Sequence, residues 1–163
     1  MLRKLAQTFA AMVVISGLGV VAASPAQAVA YRDIKSMSYN LCFYAYGDPL
    51  EDLYLKNCST TPAANGNWQV TNLGYHNGHP LWSLKRQGGT CIGVLGSASS
   101  NYLYQTCNAA RNVWEVFTVD GHYVLKSLSA YQLWGQHKCM SFVGQRPKLV
   151  TCNTADRLQH IYR

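Results

Sequence analysis

Residues 42–58 read CFYAYGDPLEDLYLKNC, residues 91–107 read CIGVLGSASSNYLYQTC, and residues 139–152 read CMSFVGQRPKLVTC. Each stretch opens and closes on a cysteine, at separations of 16, 16 and 13 residues. The opening cysteines, Cys42, Cys91 and Cys139, recur after 49 and then 48 residues. One unit of about 48 residues is therefore written three times, and a fixed internal period constrains a fold more than any local propensity does.

Six cysteines leave many pairings open. Only Cys42–Cys58, Cys91–Cys107 and Cys139–Cys152 treat the three units alike, so one disulfide per unit is expected. Each bridge would close a loop of about 15 residues and contribute about 3 kcal/mol. No C-x-x-C occurs, and no histidine stands at finger spacing from a cysteine pair. The reading therefore includes no metal site and no cofactor.

Outward from the cysteines, apolar positions alternate. Phe43 and Ala45, Ile92 and Val94, and Met140 and Phe142 follow the opening cysteines. A period of two is a strand with one buried face. Leu55, Tyr104 and Leu149 stand three residues before the closing cysteines, and Ser59, Asn108 and Asn153 directly follow them. Then come Trp68-Gln69-Val70, Trp114-Glu115-Val116 and Gln159-His160-Ile161. Asn77-Gly78 and Asp120-Gly121 separate such strands and favour hairpin turns with positive φ. Unit one spans about Tyr31 to Leu73, unit two Leu81 to Val119, and unit three Tyr123 to Arg163. No segment shows a helical period. The expectation is all-β, with about four strands per unit. Three equal units in one domain predict a β-trefoil, a barrel capped by three hairpins. A two-sheet sandwich would leave the threefold period unexplained.

The first 28 residues stand apart. Arg3 and Lys4 precede an apolar run from Phe9 to Ala23, and Ala26-Gln27-Ala28 fits a small-x-small cleavage site. The run is short for a membrane span. A secretory signal peptide cut after Ala28 is expected, giving a secreted, extracellular protein with one domain over residues 29–163. Removing the signal leaves 12 of the 14 Lys/Arg and all 7 Asp/Glu, a net charge near +5. No basic run exceeds Lys85-Arg86, whereas a nucleic-acid binder usually clusters its charge. Nucleic acid and a membrane span are both excluded from the reading.

The cysteine, the alternating strand, the Leu-x-x-Cys of Leu55–Cys58 and Leu149–Cys152, and the tryptophans Trp68 and Trp114 resemble the ricin B-type lectins. The resemblance covers nearly all of the chain after residue 28. It implies a β-trefoil carbohydrate-binding module. In that family an aspartate two residues after the opening cysteine accepts from sugar hydroxyls; here Tyr44, Gly93 and Ser141 stand there. An aromatic ring two residues before the closing cysteine stacks on the sugar; here the residues are Lys56, Gln105 and Val150. The glutamine of the Gln-x-Trp signature is replaced by Gly66, Asn112 and Arg157. Sugar recognition needs fixed polar groups and an apolar plate, so the galactose preference of the family is not carried over.

The candidate ligand-binding residues are consequently non-standard: Tyr44, Tyr46, Asp48 and Tyr54 in unit one, the asparagines Asn65 and Asn112, and Trp134 in the insertion Ala130–His137. Trp134 is either a partner anchor or a side chain folded onto the barrel, while Trp82 reads as structural. Asp48-Pro49 also reads as a turn. His76, His79, His122, His137 and His160 sit mostly beside turns and are expected to face solvent. No G-x-S-x-G, H-E-x-x-H or phosphate loop occurs. Asp48, Glu51 and Asp52 are weak grounds for a hydrolase. The chain is read as no enzyme, with a glycan or cell-surface glycoconjugate as partner. The other reading is a protein-binding trefoil, such as a toxin accessory subunit or secreted inhibitor, that meets a separate secreted protein.

Overall fold

The computed structural model describes residues 31–45, 53–94, 103–105, 107–144 and 146–163. The expected signal segment 1–28 lies outside these residues, as do Tyr46, Asp48, Glu51 and Asp52. Thirteen strands appear among the described residues: β1 (Tyr31–Asp33), β2 (Lys35–Ser36), β3 (Cys42–Ala45), β4 (Leu53–Lys56), β5 (Asn67–His76), β6 (His79–Arg86), β7 (Ile92–Val94), β8 (Leu103–Gln105), β9 (Trp114–Val119), β10 (His122–Ser127), β11 (Lys138–Ser141), β12 (Lys148–Thr151) and β13 (His160–Tyr162). β1 and β2 are halves of one strand interrupted at Ile34, whose carbonyl accepts from Phe43 N at 2.8 Å.

All pairings are antiparallel. β1 pairs with β5, β5 with β6, β6 with β9, β9 with β10, β10 with β13, and β13 with β2. Because β1 and β2 are one strand, this path closes into a six-stranded barrel. Three hairpins, β3–β4, β7–β8 and β11–β12, cap it. The threefold repeat is explicit in the register: Lys35 faces Cys42, Lys85 faces Cys91, and Lys126 faces Cys139. The architecture is the expected β-trefoil.

Cys42–Cys58, Cys91–Cys107 and Cys139–Cys152 are all bridged, one disulfide per repeat. Each ties the opening of its hairpin to the residues just past its second strand. The polar residues beside the closing cysteines then turn the chain. Asn108 and Asn153 accept from the N–H two residues on, at 2.9 and 3.1 Å, and Asn57 does the same for Ser59 at 3.1 Å. Such side-chain turns are why asparagine suits these sites.

The core follows the sequence alternation. Trp68 and Trp114 are fully buried. Trp68 Nε1 donates to Phe43 O at 3.3 Å and Trp114 Nε1 to Ile92 O at 3.0 Å, so each indole satisfies its one polar group on its own hairpin. Gln159 takes the third position. Its amide donates to Thr151 O at 3.1 Å and accepts from Asn153 N at 3.0 Å. Ile34, Leu84 and Leu125 from the first strands, with Phe43, Ile92 and Met140 from the hairpins, pack between them. Each fully buried apolar side chain contributes about 1.5–3 kcal/mol.

Both hairpin dipeptides adopt the expected turn, with φ of 49° and 81° at Asn77-Gly78 and 50° and 77° at Asp120-Gly121. Two expectations need correction. The insertion before Cys139 is not all loop: Leu128–Trp134 forms a helix, α2, while Ala63–Gly66 forms a single turn, α1. Ser127 Oγ caps α2 by accepting from Ala130 N at 2.9 Å, and Gly135 closes it at φ 66°. A seven-residue helix is too short to display a period. Nor are the histidines all solvent-facing. His160 is 5% exposed, its Nε2 is 2.8 Å from Thr154 O, and His76 bonds to Glu115.

Candidate binding site on the first repeat

Tyr44, Gly93 and Ser141, each two residues after an opening cysteine, lie on hairpin strands and are buried. Tyr44 is 4% exposed, Ser141 is 1% exposed, and Gly93 is buried. What surrounds them differs between repeats. In the second repeat Gly93 offers no side chain, and Asn112 is buried and donates to Ser83 Oγ at 3.2 Å. In the third, Ser141 Oγ is buried without a hydrogen-bond partner, and Val150 occupies the ring position.

The first repeat builds a connected polar network, with Lys56 on its exposed side. Asn65 Nδ2 donates to the Tyr44 hydroxyl at 3.4 Å. Arg86 Nη1 donates to Asn65 Oδ1 at 3.3 Å and to Ala45 O at 2.6 Å. Lys56 Nζ sits 4.0 Å from the centroid of the Tyr44 ring, a cation–π contact. Lys56 is exposed, so its ammonium forms the outer face of this arrangement. β3 delivers Tyr44, β4 delivers Lys56, α1 delivers Asn65, and the end of β6 delivers Arg86.

Arg86 is the unusual member. It is 5% exposed, its Nε has no hydrogen-bond partner, and among the described residues no carboxylate pairs with it. Burial pulls its guanidinium below the ordinary arginine range, an effect that Tyr44 partly offsets. Cations and donors thus surround Tyr44 here.

The other candidates fall elsewhere. Tyr54 lies on the far strand of the same hairpin, where its hydroxyl accepts from Arg146 Nη2 at 2.8 Å and its ring lies 4.9 Å from that guanidinium carbon. Trp134 is half-buried and packs against the core, while Tyr131 and Leu133 of the same helix are exposed. Tyr131 stacks on His137 at 4.7 Å. Asp33 lies beside Cys42 and Cys58, but those sulfurs are bridged and offer no thiolate to a metal. Sequence reasoning named Tyr44 and Asn65 and missed Arg86. The signal was present: Trp82, Leu84 and Arg86 share one face of β6, so alternation alone points Arg86 inward.

No family model matches the chain, and no curated protein does. Solved structures do match, and they place the fold. A chain of the Haemophilus ducreyi cytolethal distending toxin superposes with a TM-score of 0.62 over 86% of this chain and 86% of that one, at 16% identity. The Macrolepiota procera ricin B-like lectin, solved with lactose, gives 0.59 over 80% of this chain and 91% of its own, at 11% identity. A GlcNAcα1-4Gal-releasing endo-β-galactosidase from Clostridium perfringens gives 0.61 at 12% identity and 81% coverage of this chain. The chain spans only 31% of that enzyme. The fold is therefore a β-trefoil, shared with a ricin B-like lectin among these structures.

Proposed function

We propose that this chain is a secreted, lectin-like carbohydrate-binding module, without catalytic activity, whose working site is the one on its first repeat. The observation that carries this reading is the Tyr44–Asn65–Arg86 network under Lys56. It includes Tyr44, the position at which the sequence resemblance expects a sugar-binding carboxylate, and its members are hydrogen-bonded to one another. Lys56 brings three donors to the surface, so hydroxyl and ring oxygens of a glycan are read by donors rather than by a carboxylate. The fold is shared with a lectin solved with lactose, and the three disulfides suit an oxidising, extracellular setting. The partner is a glycan or a cell-surface glycoconjugate. The test is binding of the purified protein to a broad glycan array at two salt concentrations, repeated with Lys56→Ala. A salt-resistant hit lost in Lys56→Ala supports the reading, and a blank array overturns it.

A protein-binding trefoil is the second reading. It is favoured by α2, which exposes Tyr131 and Leu133 beside the half-buried Trp134, and by the fold shared with a toxin chain. Trp134→Ala would weaken a protein complex and leave glycan retention unchanged.

A further inference from the structure

The threefold register also accounts for an arginine-lined cavity beside the barrel strands β1 and β5. Lys35, Lys85 and Lys126 are equivalent, since each faces an opening cysteine. Three residues before them stand Arg32, Trp82 and Tyr123. Two repeats thus place an aromatic ring at this level of the barrel, and the first repeat places an arginine. Trp82 and Tyr123 pack together, with ring centroids 5.0 Å apart. Arg32 faces Trp68 across β1 and β5. Where a third ring would close the layer there is a cavity of about 280 Å³, lined by Arg32, Trp68, Gln69, Val70 and Arg163.

Two arginines line this space, and no aspartate or glutamate among the described residues does. Among the described residues both salt bridges belong to Glu115, so neither arginine side chain is engaged in one. Arg163 is held in place: its guanidinium carbon lies 4.6 Å from the Trp82 ring centroid and 6.0 Å from that of Tyr123. A guanidinium resting over a ring keeps its edge N–H donors available for a planar anion. Gln69 adds an amide, and Trp68 and Val70 complete the wall. An oxyanion held between the two arginines would be attracted by both. The volume sits near the lower end of ligand pockets, which begin at roughly 300 Å³, so it suits one compact molecule.

We propose that this cavity binds a small molecule bearing a carboxylate or phosphate group. None of its lining residues belongs to the Tyr44 network, so the inference stands independently of the glycan site. The experiment is calorimetric titration of the purified protein with glucuronate, glucose 6-phosphate and, as the neutral counterpart, glucose. Saturable binding of glucuronate, glucose 6-phosphate or both is expected, with none for glucose. Which of the two binds tells whether carboxylate or phosphate is preferred. Arg163→Gln and Arg32→Tyr should each lose about tenfold or more in affinity, the scale of one charge-assisted hydrogen bond. Arg32→Tyr installs the residue type the other repeats carry, so its melting temperature should equal or exceed the parent's. If it fails to fold, Arg163→Gln decides alone. Glucose binding as well as glucuronate, no saturable binding of either anion, or an unchanged affinity in the folded variants would overturn the proposal.

Discussion

Glu115 Oε2 accepts from Lys126 Nζ at 2.7 Å, and the Glu115 side chain is 1% exposed. His76, from the tip of the β5–β6 hairpin, lies 3.0 Å from the other carboxylate oxygen. One buried carboxylate thus joins β9, β10 and the long hairpin. Burial alone would raise its pKa, but hydrogen bonds and charge from Lys126 and His76 outweigh that and hold it below the ordinary glutamate range.

A folded pKa below the unfolded one gives stability that is full above about pH 4.3, the ordinary glutamate value. It is lost as the pH falls through the folded value. Thermal melts of the parent and of Glu115→Gln should therefore differ at pH 7 by about 1–3 kcal/mol, the cost of leaving a buried charged partner unmatched. The difference should shrink below pH 4. A gap that stays constant across that range would show that the carboxylate charge contributes nothing to stability.

The disulfide of the first repeat should contribute like those of the others despite the longer spacing than in the third. Replacing Cys42 and Cys58 together by alanine should cost about 3 kcal/mol, the constraint lost from a loop of this length. Denaturant melts of the pairwise variants measure it. A double variant as stable as the parent would mean that strand pairing alone holds the hairpin to Lys35.

Trp114→Phe keeps most of the apolar volume but removes the N–H that bonds to Ile92 O. The carbonyl is buried, so the loss should be about 1–3 kcal/mol, or about 2–4 °C in melting temperature per kcal/mol for a chain of this size. Trp68→Phe should behave alike, since its bond to Phe43 O is equivalent. Unequal losses would show that the two repeats do not share the burden of the core evenly.

The contrast with Gln159 shows what was legible in the sequence. The cysteine spacing, the Asn-Gly and Asp-Gly turns and the alternating strands are local signals, and each fixed a piece of the barrel. Gln159 also read as the third tryptophan position, yet its bonding to Thr151 and Asn153 depends on the third hairpin and could not be read from spacing. Glu115, Lys126 and His76 meet only because of the register between strands distant in sequence. In the Tyr44 network, Tyr44 was legible because the resemblance marks its position, and Asn65 because it adjoins Gly66 at the position of the Gln-x-Trp glutamine. Arg86 was not, because it arrives from the following repeat, and β6 had been read for its apolar residues.

The same network yields a prediction that separates recognition from architecture. Lys56 is exposed and meets the Tyr44 ring from outside, so Lys56→Ala should leave the melting temperature within about 0.5 kcal/mol of the parent, as surface changes usually do. Glycan affinity should nevertheless fall by about tenfold, one charge-assisted bond. Asn65 is different. It accepts from a buried guanidinium and donates to Tyr44, so Asn65→Ala strips Arg86 of one of its two acceptors. That should cost about 1–3 kcal/mol of stability in addition to affinity. Parallel melts and glycan titrations of the two variants give the answer. If Lys56→Ala destabilises the fold as much as Asn65→Ala, its ammonium is a structural lid on Tyr44, and the glycan must be read by other residues of the first repeat.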